Sequence, residues 1–473
     1  MKREPTEVTE LVLKAAEKAR RGRTASPELA LTGPIDWPVK CTVGPGLEGA
    51  IACESKVGYV NGSQGALIYR GYDIFDLCAY STFEEASYLV LHGNLPTQRQ
   101  LADFNKKLVR YRHTPKTLRL LMGFPVEEMN VMAALRLATN LMRQEFTFAD
   151  QKEAKREPAK AISADEDSIP METMPTGEPR AVYEFTKPKR RKRRKEADWA
   201  VQEGADLESC YHLIAGVGTL AAATARLRQG LMPIEPHPEL SHAGNYLYML
   251  TGRRPTPVEE RIMDIALILH VDHGMNASTF ATMVVASTLS DIYLSVGSGI
   301  AALNGPLHGG ANEQVMRTLR GIGGPENVKA WYEKARARKQ KIMGFGHRVY
   351  KSYDPRAQIL GPLVKFLARK RKDVRPLLAT AEALEKEVVG DLGTRKGIYP
   401  NVDFYSGLLY TCLEIPEDLF TPTFAVARVS GWTARVLEYL QKNRIFRPRA
   451  IYSGPFDMTY VPIERRGAKK RSR

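Results

Sequence analysis

The stretch Thr256-Pro257-Val258-Glu259-Glu260-Arg261-Ile262-Met263-Asp264-Ile265-Ala266-Leu267-Ile268-Leu269-His270-Val271-Asp272-His273-Gly274 decides the fold class. Thr256 and Glu259 stand at capping-box spacing, in which each side chain satisfies the other residue's free backbone N–H. Pro257 takes the first helical position, where its missing N–H costs nothing. Ile262, Ile265, Ala266 and Leu269 then recur at helical spacing. The helix stays apolar to its end and breaks into a turn containing Gly274 and Asn276. Its last residues place His270, Asp272 and His273 at that break.

Outward from there the same signals repeat. Thr82 and Glu85 form another capping-box pair ahead of Ala86, Leu89, Val90 and Leu91, so a helix is expected to start there. Helical periodicity returns at Leu207 and runs through Ala223. It continues over 327–340, 358–370, 375–389, 404–414 and 424–442. Ser63-Gln64-Gly65 and Tyr69-Arg70-Gly71-Tyr72-Asp73 read as turns. Alternating strand patterns are scarce and no internal repeat is present. The fold class is therefore mainly α.

Two stretches depart from this pattern. Residues 1–40 read as a short amphipathic helix and a Pro/Gly-containing lead-in. Residues 151–206 lack apolar periodicity and contain Lys187-Pro188-Lys189-Arg190-Arg191-Lys192-Arg193-Arg194-Lys195. Such a segment buries too little surface to offset the entropy of ordering, so a disordered insertion is expected. The basic run is the sole support for nucleic-acid contact through 187–195.

The bulk numbers fit a folded protein. A chain of 473 residues holds two or three ordinary domains, or a large one with a smaller lobe. Its 43% hydrophobic content supports a sizeable core. An excess of 69 Lys and Arg over 53 Asp and Glu gives +16 and draws anions by long-range attraction. Cys41, Cys53, Cys78, Cys210 and Cys412 are scattered, which argues against a disulfide framework and for a reducing compartment. No run of about 18 apolar residues marks a membrane span. The N-terminus mixes acids with bases and has no apolar core of a secretory signal.

The candidate reactive groups sit in glycine-marked turns. His308 lies in Asn304-Gly305-Pro306-Leu307-His308-Gly309-Gly310, and His347 in Gly344-Phe345-Gly346-His347. Glycines beside a histidine let backbone approach a ligand closely. His270-x-Asp272-His273 lacks the third ligand that a zinc site needs. His92, His113, His212, His237 and His242 read as surface or satisfied structural residues. Asp403, in Asn401-Val402-Asp403-Phe404-Tyr405, admits two readings. It is either a helix cap or a carboxylate whose apolar setting makes it a stronger base. Arg356, Arg428, Arg447 and Arg449 are either structural ion-pair partners or forks for a dicarboxylate.

The segments HVDHGMNAST, NGPLHGGAN, IMGFGHRVYKSYDPR, YPNVDFYSG, LFTPTFAVARVSGW and FRPRAIYSGP, in this order, resemble the citrate synthase family. The likeness runs from about 44 to about 466, except for 151–206, and is to the shorter bacterial type. It implies a two-domain, all-helical fold with a large domain and a small mobile one. The expected boundaries are an extension over 1–43, a large domain over 44–311, a small domain over 312–416, a return to the large domain over 417–466, and a basic tail over 467–473. The implied reaction is a Claisen-type condensation of acetyl-CoA with oxaloacetate, followed by thioester hydrolysis to citrate and CoA. The resemblance assigns His308, His347 and Asp403 to catalysis and His273, Arg356, Arg428 and Arg447 to oxaloacetate. It gives Lys351 to CoA phosphate, and Arg447 would act from the partner chain of a homodimer. No cofactor or metal is implied, and the cytoplasm is the expected compartment. Two alternatives stand beside it: a 2-methylcitrate synthase using propionyl-CoA, and a nucleic-acid-binding protein on an old enzyme fold.

Overall fold

The computed structural model describes residues 6–21, 37–145, 206–451, 453–455, 458–460, 462, 463 and 466. The expected disordered insertion lies outside these residues, except for Asp206, whose carboxylate accepts from the Ser209 N–H and caps the next helix. The basic tail also lies outside them.

Helices dominate the described residues, as the sequence led us to expect. The Pro257–His270 helix begins at the expected capping box, with Glu259 N–H donating to Thr256 Oγ1 at 3.3 Å and Thr256 N–H to Glu259 Oε2 at 2.7 Å. The Phe83–His92 helix starts the same way at Thr82 and Glu85. A further capping box, Thr97 with Gln100, opens the Gln98–Tyr111 helix. The core is centred on the Phe420–Leu440 helix, which buries every residue from Phe420 to Val436, Trp432 among them. The Leu207–Arg228, Ala277–Ser287, Phe83–His92, Ile292–Leu303 and Pro257–His270 helices pack around it.

Beyond these, the Val402–Cys412 helix lies between Pro355–Ala368 and Ala311–Ile322, and Arg375–Val388 covers that group. The amphipathic N-terminal helix is Glu7–Arg21. It buries Val8, Val12, Ala15, Ala16 and Ala19 against the Ile74–Tyr80 and Pro355–Ala368 helices. Ion pairs fasten both of its ends, Glu7 to Arg369 at 3.2 Å and Arg20 to Asp76 at 2.8 Å.

The turns read at Ser63-Gln64-Gly65 and within Tyr69–Asp73 are present at 62–65 and at Arg70-Gly71, but they join strands that the sequence reading did not include. A small antiparallel sheet forms there: β1 Gly58–Asn61, β2 Ala66–Tyr69 and β3 Tyr72–Asp73, paired in that order. Its strands are too short to carry a period-two pattern. Arg70 and Gly71 both have positive φ, 48° and 92°. That is the backbone of a two-residue hairpin turn.

Candidate active site

His273, Arg356 and Asp403 stand at or just beyond helix ends, His308 and His347 lie in loops, Arg428 projects from the middle of the Phe420–Leu440 helix, and several of these meet in one place. His273 follows the Pro257–His270 helix. Its ring lies 5.1 Å from that of His347, and its Nε2 is 3.2 Å from the Tyr350 hydroxyl. The His347 loop is bent by Gly344 and Gly346, with φ of 82° and 75°. It is pinned to the segment before Asp403: Gly346 N–H donates to Tyr399 O at 2.9 Å, Asn401 N–H to Gly344 O at 2.9 Å, and Asn401 Nδ2 to Gly346 O at 2.9 Å. His347 Nδ1 accepts from the backbone N–H groups of Val349 and Tyr350, at 3.0 and 3.2 Å. A neutral ring held this way carries its proton on Nε2. Burial first, and then the Arg356 charge, push its pKa down to about 4, so the ring is neutral at pH 7.

His308 is fixed in the complementary sense. Its Nε2 faces the Ser278 N–H at 3.2 Å and the Ser278 hydroxyl at 2.8 Å. A backbone N–H can only donate, so Nε2 accepts and the proton sits on Nδ1. Burial, then the Arg428 charge, lower its pKa to about 4. The adjoining Gly309 allows a tight loop: a Cβ there would lie 2.3 Å from Leu303 O. Ser278 is held at a helix start, where Asn276 Oδ1 accepts from the Thr279 N–H at 3.1 Å.

Charge accounting separates Arg356, Arg428 and Arg435, three of the four arginines buried among the described residues; the fourth, Arg112, donates to the carbonyls of His237 and Leu240. Arg356 donates to both oxygens of Asp354, at 3.0 and 2.8 Å. Arg435 does the same to Asp272, at 2.7 and 2.8 Å. Arg428 has no such carboxylate. Its Nε donates to His270 O at 2.6 Å, its guanidinium lies over the Phe424 ring at 4.6 Å, and its buried Nη2 has no hydrogen-bond partner among the described residues. Burial is the first cause that pushes its pKa down to about 10. A buried cation without a bonded counter-ion is costly and suits an anionic ligand.

For Asp403 the structure decides between cap and base. The cap is Asn401, whose Oδ1 accepts from the Asp403 N–H at 3.0 Å. The Asp403 carboxylate is left free of that duty. Burial, followed in effect by the Asp354 charge, outweighs Arg356 and Arg428 and raises its pKa to about 7. A carboxylate in that range is a competent general base near neutrality.

Other expected residues stand apart. Lys351 is exposed, and its backbone N–H donates to Gly62 O at 3.0 Å. Arg447 and Arg449 are exposed beyond the last long helix and do not join this chain's own cluster. His92 and His212 bond to tyrosine hydroxyls, and His237 takes the Glu239 N–H. His113 lies 3.5 Å from the Glu235 carboxylate. His242 corrects the expectation of a satisfied structural residue. It is buried against Phe83 with both ring nitrogens unpartnered among the described residues, and burial lowers its pKa to about 3.

Sequence reading missed Ser278, Tyr350, Asp354 and Arg435. For Asp354 a signal existed, since an aspartate ahead of proline is a helix-cap pattern, and it does cap Pro355–Ala368. Among the described residues no group of three His, Cys, Asp or Glu is gathered for a metal ion, and no helix is long and apolar enough to cross a membrane.

Known proteins similar to this chain include citrate synthases. The model of the citrate synthase C-terminal domain matches residues 46–449. The citrate synthase of Deinococcus radiodurans is 40% identical over 426 residues, covering 90% of this chain and 99% of that protein. Citrate synthase 2 of Bacillus subtilis is 38% identical, covering 89% and 98%. The crystal structure of the Pyrobaculum aerophilum citrate synthase superposes with a TM-score of 0.73 at 38% identity, covering 92% of this chain and 100% of that one. The Thermoplasma acidophilum enzyme, solved as a ternary complex with carboxymethyl coenzyme A and oxaloacetate, gives 0.73 at 30% identity, covering 90% and 100%. With a matching family model over most of its length and relatives of this identity across nearly their whole chains, the protein belongs to the citrate synthase family.

Proposed function

We propose that the chain condenses acetyl-CoA with oxaloacetate and hydrolyses the resulting thioester to citrate and CoA. The observation that carries this reading is the pair of fixed tautomers, Nδ1–H on His308 and Nε2–H on His347, beside a carboxylate of pKa about 7 at Asp403. An α-proton next to a thioester is weakly acidic, and its removal needs a base and an electrophile together. Asp403 takes that proton while His308 Nδ1–H donates to the thioester oxygen. The α-carbon then bonds to the ketone carbon of oxaloacetate, whose oxygen His347 Nε2–H polarises. Water finally cleaves the thioester and CoA leaves.

The unpaired Nη2 of Arg428, with Arg356 and His273, suits the oxaloacetate carboxylates. Lys351 and the net charge of +16 suit the CoA phosphates. No metal or cofactor takes part. The relatives' shared name favours acetyl-CoA over propionyl-CoA. Residues 312–416 form the mobile small domain, whose closure onto the rest excludes water. The working unit is a homodimer in which the partner chain supplies Arg447. Supporting this, Leu307 beside His308 is 95% exposed, and Ile451 and Tyr460 near the C-terminus are 96% and 78% exposed in the single chain. The scattered free thiols suit a reducing cytoplasm.

Two variants test the assignment. Asp403→Asn is expected to abolish turnover almost completely while leaving oxaloacetate binding intact by calorimetry. Arg428→Leu is expected to weaken oxaloacetate binding instead. Near-normal turnover by Asp403→Asn shows the base assignment to be wrong.

A further inference from the structure

The Arg375–Val388 helix carries no group of the proposed chemistry, yet one of its side chains joins two segments that do. Glu385 Oε1 accepts from the Tyr353 hydroxyl, and its Oε2 accepts from the Tyr405 hydroxyl. Tyr353 directly precedes Asp354, whose carboxylate grips Arg356 through two hydrogen bonds. Tyr405 stands two residues after Asp403 on the first turn of the Val402–Cys412 helix. The Tyr405 ring lies flush against the Pro355–Ala368 helix, where a Cβ on Gly361 would meet it at 3.4 Å. The Tyr353 ring lies 4.8 Å from that of Tyr399, whose carbonyl holds the His347 loop through Gly346. The bridge therefore touches the segments that carry Arg356, Asp403 and His347.

We infer that Glu385 is a positioning residue for the reaction, setting the Arg356 turn and the Asp403 helix at a fixed orientation through Tyr353 and Tyr405. The inference rests on the functional reading above. One tie between these segments already exists, since Asp354 Oδ2 accepts from the Val402 N–H at 3.1 Å. The Val402–Cys412 helix also packs along Pro355–Ala368, which fixes the two helices broadly but not the polar groups at their ends. A second polar tie, displaced from the first, holds the Arg356 turn and the first turn of the Asp403 helix in register. A carboxylate suits this second tie because its two oxygens each accept one phenol O–H. Glutamine keeps one acceptor and must donate to the other phenol oxygen, so it preserves the bridge in part. Alanine removes it.

The test uses the full chain and measures kcat and KM for oxaloacetate by CoA release, with melting temperature as a control. Misplacing a reacting group by about 1 Å can cost on the order of a hundredfold in rate. Glu385→Ala is accordingly expected to lower kcat by about ten- to a hundredfold in folded protein and to raise KM. Glu385→Gln is expected to recover most of the loss. Tyr405→Phe should act mainly on kcat, through Asp403, and Tyr353→Phe mainly on KM, through Arg356. Either Phe change made on top of Glu385→Ala should add little.

A Glu385→Ala protein with kcat and KM within about twofold of wild type and only a lower melting temperature overturns the inference. Where Glu385→Ala fails to fold, the two Phe variants decide, and wild-type kinetics in both overturn it equally. A wild-type chain that releases no CoA refutes instead the reading on which the inference rests.

Discussion

Asp403 illustrates how far single residues speak. In the sequence it offers a cap and a base with no means of choosing, because Asn401 and Asp403 stand two positions apart and either suits a helix start. The fold gives the cap to Asn401 and leaves the Asp403 carboxylate half-buried and free of the helix start, with its pKa raised. Arg428 was legible as a buried-looking arginine, but its lack of a carboxylate partner was not. That depends on Asp272 being taken by Arg435, a residue 163 positions away in the chain. At this scale a pH dependence follows. Asp403 must be ionised to take a proton, so kcat/KM for the acyl-CoA is expected to fall as pH drops through about 7. A rate that stays flat from about pH 8 to about pH 5.5 contradicts the assigned base, given the ordinary Asp pKa of about 3.9.

The elements themselves were largely readable, and for a local reason. Capping boxes and helical periodicity act over a few residues, so Pro257–His270 and Phe83–His92 begin where the sequence places them. The 58–73 sheet was not readable because its strands, two to four residues long, are too short to show an alternating pattern. The N-terminal helix was visible as an amphipathic segment, but the surface that covers it was not. Its hold on the body comes from the apolar stripe, since its two ion pairs are exposed and such pairs contribute at most about 1 kcal/mol. Val12 is 1% exposed. Val12→Asp is therefore expected to destabilise the chain by roughly 3 kcal/mol, read by denaturant unfolding. Arg20→Ala should cost less than about 1 kcal/mol. Equal losses from the two changes place the anchoring in the ion pairs instead.

Across the whole molecule the site emerges only when distant segments meet. Residues near 273, 308, 347, 403 and 428 share no local pattern, and the sequence ordered them solely through family resemblance. The fold also sets a pH dependence of stability. Burial lowers the pKa of His212, His308 and His347 to about 4 and of His242 and His270 to about 3, from 6.5. Between those values the unfolded chain binds protons that the folded chain refuses, so stability present above about 6.5 is lost as pH falls. Asp264 and Asp403, both raised to about 7 by burial, act with the opposite sign but are fewer. The melting temperature is expected to be lower at pH 5 than at pH 7, and a higher value at pH 5 contradicts these burial effects.

The acyl group is the most specific feature of the proposed reaction. One methylene is worth only about 1–3 kcal/mol in an apolar pocket, so the two candidate thioesters must be compared directly. The measurement is CoA release, followed with a thiol reagent, from acetyl-CoA and from propionyl-CoA, each with and without oxaloacetate. Release is expected to depend on oxaloacetate, with the higher kcat/KM for acetyl-CoA. Release that ignores oxaloacetate, or a clear preference for propionyl-CoA, contradicts the proposed reaction.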